Sequence, residues 1–139
     1  RMARSASGEA LPAATLCWVW GVREAPDSLI DNPYSRRVRY LVLRNQADGS
    51  GRWREERRDV AADFRRAFGD ESAELPPLAA VIVAGDADNT GGRSRALVAA
   101  LRFEPGDGDL GGGFGRRSSF LGFRGNVSTG EATNGIVAG

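Results

Sequence analysis

The chain has no lysine and no histidine: all 19 of its basic residues are arginine, against 18 acidic ones, for a formal net charge of +1. Three chemistries go with those absences. There is no imidazole to act as general base or metal ligand, no amine for a Schiff base, and no P-loop lysine. The near balance of charge removes any electrostatic pull toward nucleic acid or an anionic membrane. Cysteine is almost absent too. Cys17, alone between Leu16 and Trp18, cannot close an internal disulfide and reads as a buried structural thiol. No apolar run approaches the length of a membrane span, and residues 1–14 lack the apolar core of a signal peptide. A signal sequence ahead of Arg1 would make the protein periplasmic or secreted.

What is present fits one domain at most within 139 residues. The chain is organised around residues 77–92, PLAAVIVAGDADNTGG, an apolar run that stops abruptly in oxygen-bearing side chains. Residues 78–84 contain no polar side chain, are short for a helix and carry Val81, Ile82 and Val83. They predict a strand buried on both faces. Residues 1–13 are small and polar and read as a flexible lead. Residues 15–20, TLCWVW, predict a strand. Residues 37–44 alternate, with Val38, Tyr40 and Val42 on one face and Arg39, Leu41 and Leu43 on the other, as a half-buried strand does. Residues 53–59, WREERRD, suit a charged edge strand or a lead-in to a helix.

Val60, Phe64, Ala67 and Phe68 recur at helical spacing, with Asp59 placed to cap the N-terminus and Gly69 just past the end. They predict one short helix of about ten residues. Residues 96–103 predict a last strand, with a short helix as rival. After Pro105 the composition changes: residues 106–139 hold 11 of the 19 glycines and read as a flexible Gly-rich tail. The domain proper is therefore expected within residues 14–105.

Taken in order, Trp20-Gly21, Trp53, Arg58, Asp63-Phe64, Phe68-Gly69 and Asp86-Ala87-Asp88-Asn89-Thr90 resemble the second half of an uncharacterised bacterial family, domain of unknown function 3047. Two positions depart from its pattern: Ala84-Gly85 stand where the family has Met-Thr, and Ala99-Ala100 where it has an aromatic-Gly step. The resemblance implies a mainly β fold, a jelly-roll-like β-sandwich fragment with one short helix. It also implies an N-terminal half of the same domain as a natural partner. Without that half, strand edges and an apolar face are left uncovered. The residues carried over as a ligand-binding set are Trp20, Trp53, Arg58, Asp63, Asp86, Asp88, Asn89 and Thr90.

The residues after the apolar run admit several chemistries. Asp86-x-Asp88-x-Thr90 matches the nucleophile motif of haloacid-dehalogenase-like phosphatases by letter, but the lysine that chemistry needs is absent. An EF-hand loop from Asp86 would put Leu97 where a bidentate Glu belongs, and fails. A looser Ca²⁺ site formed by Asp86, Asp88 and Asn89 stands beside the plainer reading, an Asx-type turn at a strand end. Gly106-x-Gly108-x-x-Gly111 has no amphipathic helix after it to bind phosphate. The six arginines of residues 52–66 are interleaved with Glu55, Glu56, Asp59 and Asp63 and read as a solvated ion-pair face rather than a nucleic-acid surface.

Trp18, Trp20 and Trp53 form either core or a stacking platform for a sugar. The sum is a non-catalytic ligand-binding module, with a glycan as ligand by fold analogy. The rivals are a metal-dependent hydrolase using Asp86 and Asp88, and a truncated piece with no activity of its own.

Overall fold

The computed structural model describes residues 3–4, 10–11, 14–71, 75–85, 93, 95–105, 119–128 and 134–138. Its strands are β1 (Ala3–Arg4), β2 (Ala10–Leu11), β3 (Thr15–Trp20), β4 (Leu29–Asp31), β5 (Val38–Arg44), β6 (Arg54–Asp59), β7 (Val81–Gly85), β8 (Arg95–Pro105), β9 (Ser119–Ser128) and β10 (Asn134–Ala138). One helix, α1 (Val60–Phe68), follows β6 without a break. A five-stranded sheet runs β4-β5-β3-β10-β7 and a three-stranded sheet runs β6-β9-β8, while β1 and β2 pair only with each other. The fold is mainly β, as expected. The β3–β5 pair is parallel, whereas a jelly roll is antiparallel throughout. Two sheets across one core describe this architecture best.

Alternation decides what fills that core. In β3, Leu16 and Trp18 point to the side shared with α1 and the second sheet, while Cys17 and Val19 point away to a smaller cluster with Val42. β5 divides in the same way, Leu41 to the main core and Val42 to the other, both with no exposure. The helix adds Val60, Phe64, Ala67 and Phe68, the apolar stripe expected from their spacing. Asp59 caps it, its carboxylate accepting from the Ala62 amide at 3.0 Å. Gly69 ends it at φ −63°, not in the left-handed region; a Cβ there would fall 2.3 Å from the Arg65 carbonyl oxygen.

Three expectations are revised. The run at residues 78–84 is not a strand buried on both faces. β7 begins only at Val81, after Pro76 and Pro77. It pairs on one side with β10 and forms the edge of its sheet, leaving Ile82 and Val83 nearly half exposed. An apolar run reports hydrophobicity but not position within a sheet. The stretch after Pro105 also holds more structure than a Gly-rich tail: β9 is the middle strand of the three-stranded sheet and β10 lies between β3 and β7.

In β9, Leu121 and Phe123 enter the core, and glycines hide the alternation. Gly122 lies under the Arg102 guanidinium, where a Cβ would come within 2.9 Å of its central carbon. Gly125 faces the Trp20 ring, and a Cβ there would sit 3.4 Å away. The β1–β2 ladder falls within the stretch read as a flexible lead.

Cys17 is buried, as its apolar neighbours indicated, and burial pushes its thiol up to about 12. A thiol so rarely ionised is a poor nucleophile. The native protein is expected to resist a thiol-reactive dye at pH 8 and to react fully once unfolded in denaturant; labelling of the native protein at the unfolded rate would contradict the burial.

Candidate functional site

The most strongly built polar cluster joins the two sheets and the helix. Asp63, in the first turn of α1, is 3 % exposed. It accepts from the Trp18 indole N–H at 2.7 Å, and Arg58 reaches it with two donors, Nε at 2.7 Å and Nη2 at 2.6 Å. Each donor arrives by pattern. Trp18 lies on the core side of β3. Arg58 is drawn inward because it pairs with Leu121, and partners directly opposite across a ladder share a face. A carboxylate with three charge-assisted or indole donors has its desolvation offset, and the helix N-terminus adds a favourable dipole. Hydrogen bonding to Asp63 strengthens Arg58's hold on its proton, and the charges of Asp63 and Asp27 add to it.

The network reaches the surface through Asp27. Its Oδ1 accepts from Arg66 Nη1 at 2.8 Å and faces Arg58 Nη2 at 3.4 Å, and its main-chain carbonyl accepts from Arg66 Nη2 at 2.8 Å. The Arg66 hydrogen bond, then the two positive charges, hold the Asp27 carboxyl below its ordinary range. Elsewhere on the inner face, Glu56, 8 % exposed, accepts from Arg44 Nε.

The outer face of the three-stranded sheet is an ion-pair lattice. Glu104 accepts from Arg57 at 3.0 Å and Arg102 at 2.9 Å, and Glu55 pairs with Arg124 at 3.4 Å. Arg57 also stacks 3.7 Å over the Phe120 ring. Within the arginine-rich stretch, Arg57, Arg58 and Arg66 are thus paired with carboxylates of the same chain.

A cleft opens between the sheets on the side away from α1. Trp18, Trp20 and Leu43 wall it from one sheet and Val98, Phe123 and Gly125 from the other, with Val83 of β7 at its rim. Its enclosed part is about 20 Å³, room for a water-sized group. Two of its lining side chains, on two edge strands, are nearly half exposed: Val83 at 47 % and Leu97 at 40 %.

The motif spacing in the sequence has a counterpart among protein families. The family described as protein of unknown function (DUF3047) matches residues 1–102. The chain belongs to this family. No curated protein and no solved structure matches it. The DUF3047 match ends inside β8, so β9 and β10 lie beyond it although both complete the sheets.

Of the motif residues, Arg58 and Asp63 come together, and Trp20 lines the cleft a short way along β3. Trp53 is elsewhere, 44 % exposed, with the Arg124 guanidinium 5.5 Å from its ring. Asp86, Asp88, Asn89 and Thr90, and with them the Ca²⁺ reading, lie outside the described residues, as do Gly106, Gly108 and Gly111. Among the described residues no group of three Asp, Glu, Cys or His side chains could hold a metal ion, and no helix is long and apolar enough to cross a membrane.

Sequence reasoning missed Trp18, Asp27 and Arg66 as members of the polar network. Trp18 was legible, since Leu16 and Trp18 alternate onto one strand face. The partnership of Asp27 with Arg66, 39 residues away, had no local signal.

Proposed function

We propose that the domain is a non-catalytic binding module whose partner packs an apolar side chain over the mouth of the cleft between the sheets, beside β7 and β8. The observation that carries this is the placing of Val83 and Leu97, both nearly half exposed, on two edge strands at a cleft lined almost wholly by apolar groups. Exposed apolar surface next to a concave apolar site is what partners of this kind recognise. The Trp18–Asp63 hydrogen bond is then scaffold: it fixes Trp18, one wall of the cleft.

A glycan fits the cleft poorly, since a sugar needs polar groups and a wider floor. Trp20 lies against Gly125 on the inner face of β9, while Trp53 lies beneath Arg124 on the outer face, so the two rings do not form one stacking platform for a sugar. Ca²⁺ held by Asp86, Asp88 and Asn89 is a separate proposal; if it binds only the folded chain, millimolar Ca²⁺ raises the melting midpoint, and Asp88→Ala abolishes the rise.

Selection of a displayed random-peptide library on the full chain tests the main reading. Enriched peptides should share an apolar anchor, and their binding should fall at least tenfold with Val83→Asp or Leu97→Asp, whose exposed sites leave stability nearly unchanged. Failure to enrich any peptide, or binding indifferent to both substitutions, would overturn it. A second reading, that these side chains are a seam of a larger fold, rests on the same exposure. It predicts concentration-dependent self-association in sedimentation, relieved by the same two substitutions, with no selective peptide.

A further inference from the structure

We propose that Arg58 and Arg66 form a binding site for an oxyanion group, a carboxylate or a phosphate, which the Asp27 carboxylate of the same chain occupies when no ligand is bound. This does not depend on the apolar cleft. Arg58 is preorganised: its Nε and Nη2 are held by the buried Asp63, which fixes the guanidinium plane and leaves it facing Asp27 at 3.4 Å. Arg66, 41 % exposed on the last turn of α1, brings a second guanidinium to the same Asp27 oxygen at 2.8 Å. Two guanidiniums converging on one carboxylate oxygen is an arrangement that recognises carboxylates and phosphates generally.

The occupant is unusual in its backbone. Asp27 has φ 66°, one of two non-glycine residues in the left-handed region among the described residues. Strain of this kind, held by its surroundings, gathers at ligand-binding positions. The turn itself is anchored independently, by the Asp27 amide on the Val42 carbonyl at 2.7 Å and the Val42 amide on the Ser28 carbonyl at 2.9 Å. Rotation of the Asp27 side chain therefore clears the site without unfolding the turn. That side chain is 65 % exposed, so solutes reach it, and the ion pairs it would give up are of the weak surface kind. With Asp27 turned away, Asp63 still neutralises Arg58 and one positive charge remains for the ligand.

The test removes the internal competitor. Asparagine tolerates the left-handed backbone, so Asp27→Asn should keep the fold, confirmed by an unchanged melting curve; Asp27→Gly serves as a second variant. The full chain and each variant are titrated separately with inorganic phosphate and acetate, following arginine side-chain N–H resonances. Both Asp27 variants should bind one of the two anions at least tenfold more tightly than the parent chain, and adding Arg66→Gln should remove that binding. Preference for acetate identifies a carboxylate ligand and preference for phosphate a phosphate ester. The proposal is overturned if neither variant binds either anion more tightly than the parent, or if Arg66→Gln leaves the affinity unchanged.

Discussion

A chain ending at Pro105 should show no cooperative unfolding transition by heat or urea, whereas the full chain shows one. The cut removes β9, which among the described residues is the one strand bonded to both β6 and β8, and β10, which separates β3 from β7. It also takes Leu121, with no exposure, and Phe123, 2 % exposed, out of the core. Large-to-small changes at such sites cost roughly 2–5 kcal/mol each, and a whole domain holds only about 5–15. Deleting both residues with their strand leaves nothing to balance the entropy of ordering the rest. Circular dichroism through a urea titration measures this directly. A cooperative transition for the shortened chain would mean that the two C-terminal strands decorate a fold they do not complete.

The second large effect is at Asp63. Replacing it by alanine leaves the Trp18 indole N–H buried without a partner and Arg58 with its principal counter-charge gone. Removing one member of a buried charge pair costs about 3–5 kcal/mol, and an orphaned buried donor about 1–3. With a urea slope of about 1–3 kcal/mol per molar for a domain of this size, the midpoint should fall by more than 1 M. Trp18→Phe keeps most of the ring packing and should cost less, about 1–3 kcal/mol. In the Arg58→Met background, Asp63→Ala should be milder than in the parent, because the unpaired cation is no longer there to penalise it. A fall under about 1 kcal/mol for Asp63→Ala alone would show that water or another group replaces the carboxylate.

What could be read from the sequence was what local pattern encodes. The helix was legible because Val60, Phe64, Ala67 and Phe68 repeat at its period and Asp59 caps it. β3 was legible from its β-branched and aromatic residues and β5 because it alternates, and that alternation correctly divided Leu41 from Val42 between two clusters. β9 was masked because Gly125 interrupts its apolar face and Gly122 its outer one, although each glycine lies where the Trp20 or Arg102 side chain closes over the strand.

β7 was misplaced for the opposite reason: Val81, Ile82 and Val83 look like a central strand, but neighbours, not composition, decide which strand is an edge. In the candidate site, Arg58 and Asp63 stood out as part of a family-like spacing five residues apart. Their joint contact with Trp18, 45 residues from Asp63, is a product of topology.

Amide hydrogen exchange of the full chain is the most direct test of a two-sheet domain closed by its own C-terminal strands. The amides of residues 120–127 should exchange as slowly as those of β3, through global unfolding, because β9 is bonded on both sides. Exchange of that segment at the rate of an unfolded peptide, while β3 and α1 remain protected, would contradict the account and separate the Gly-rich stretch from the domain.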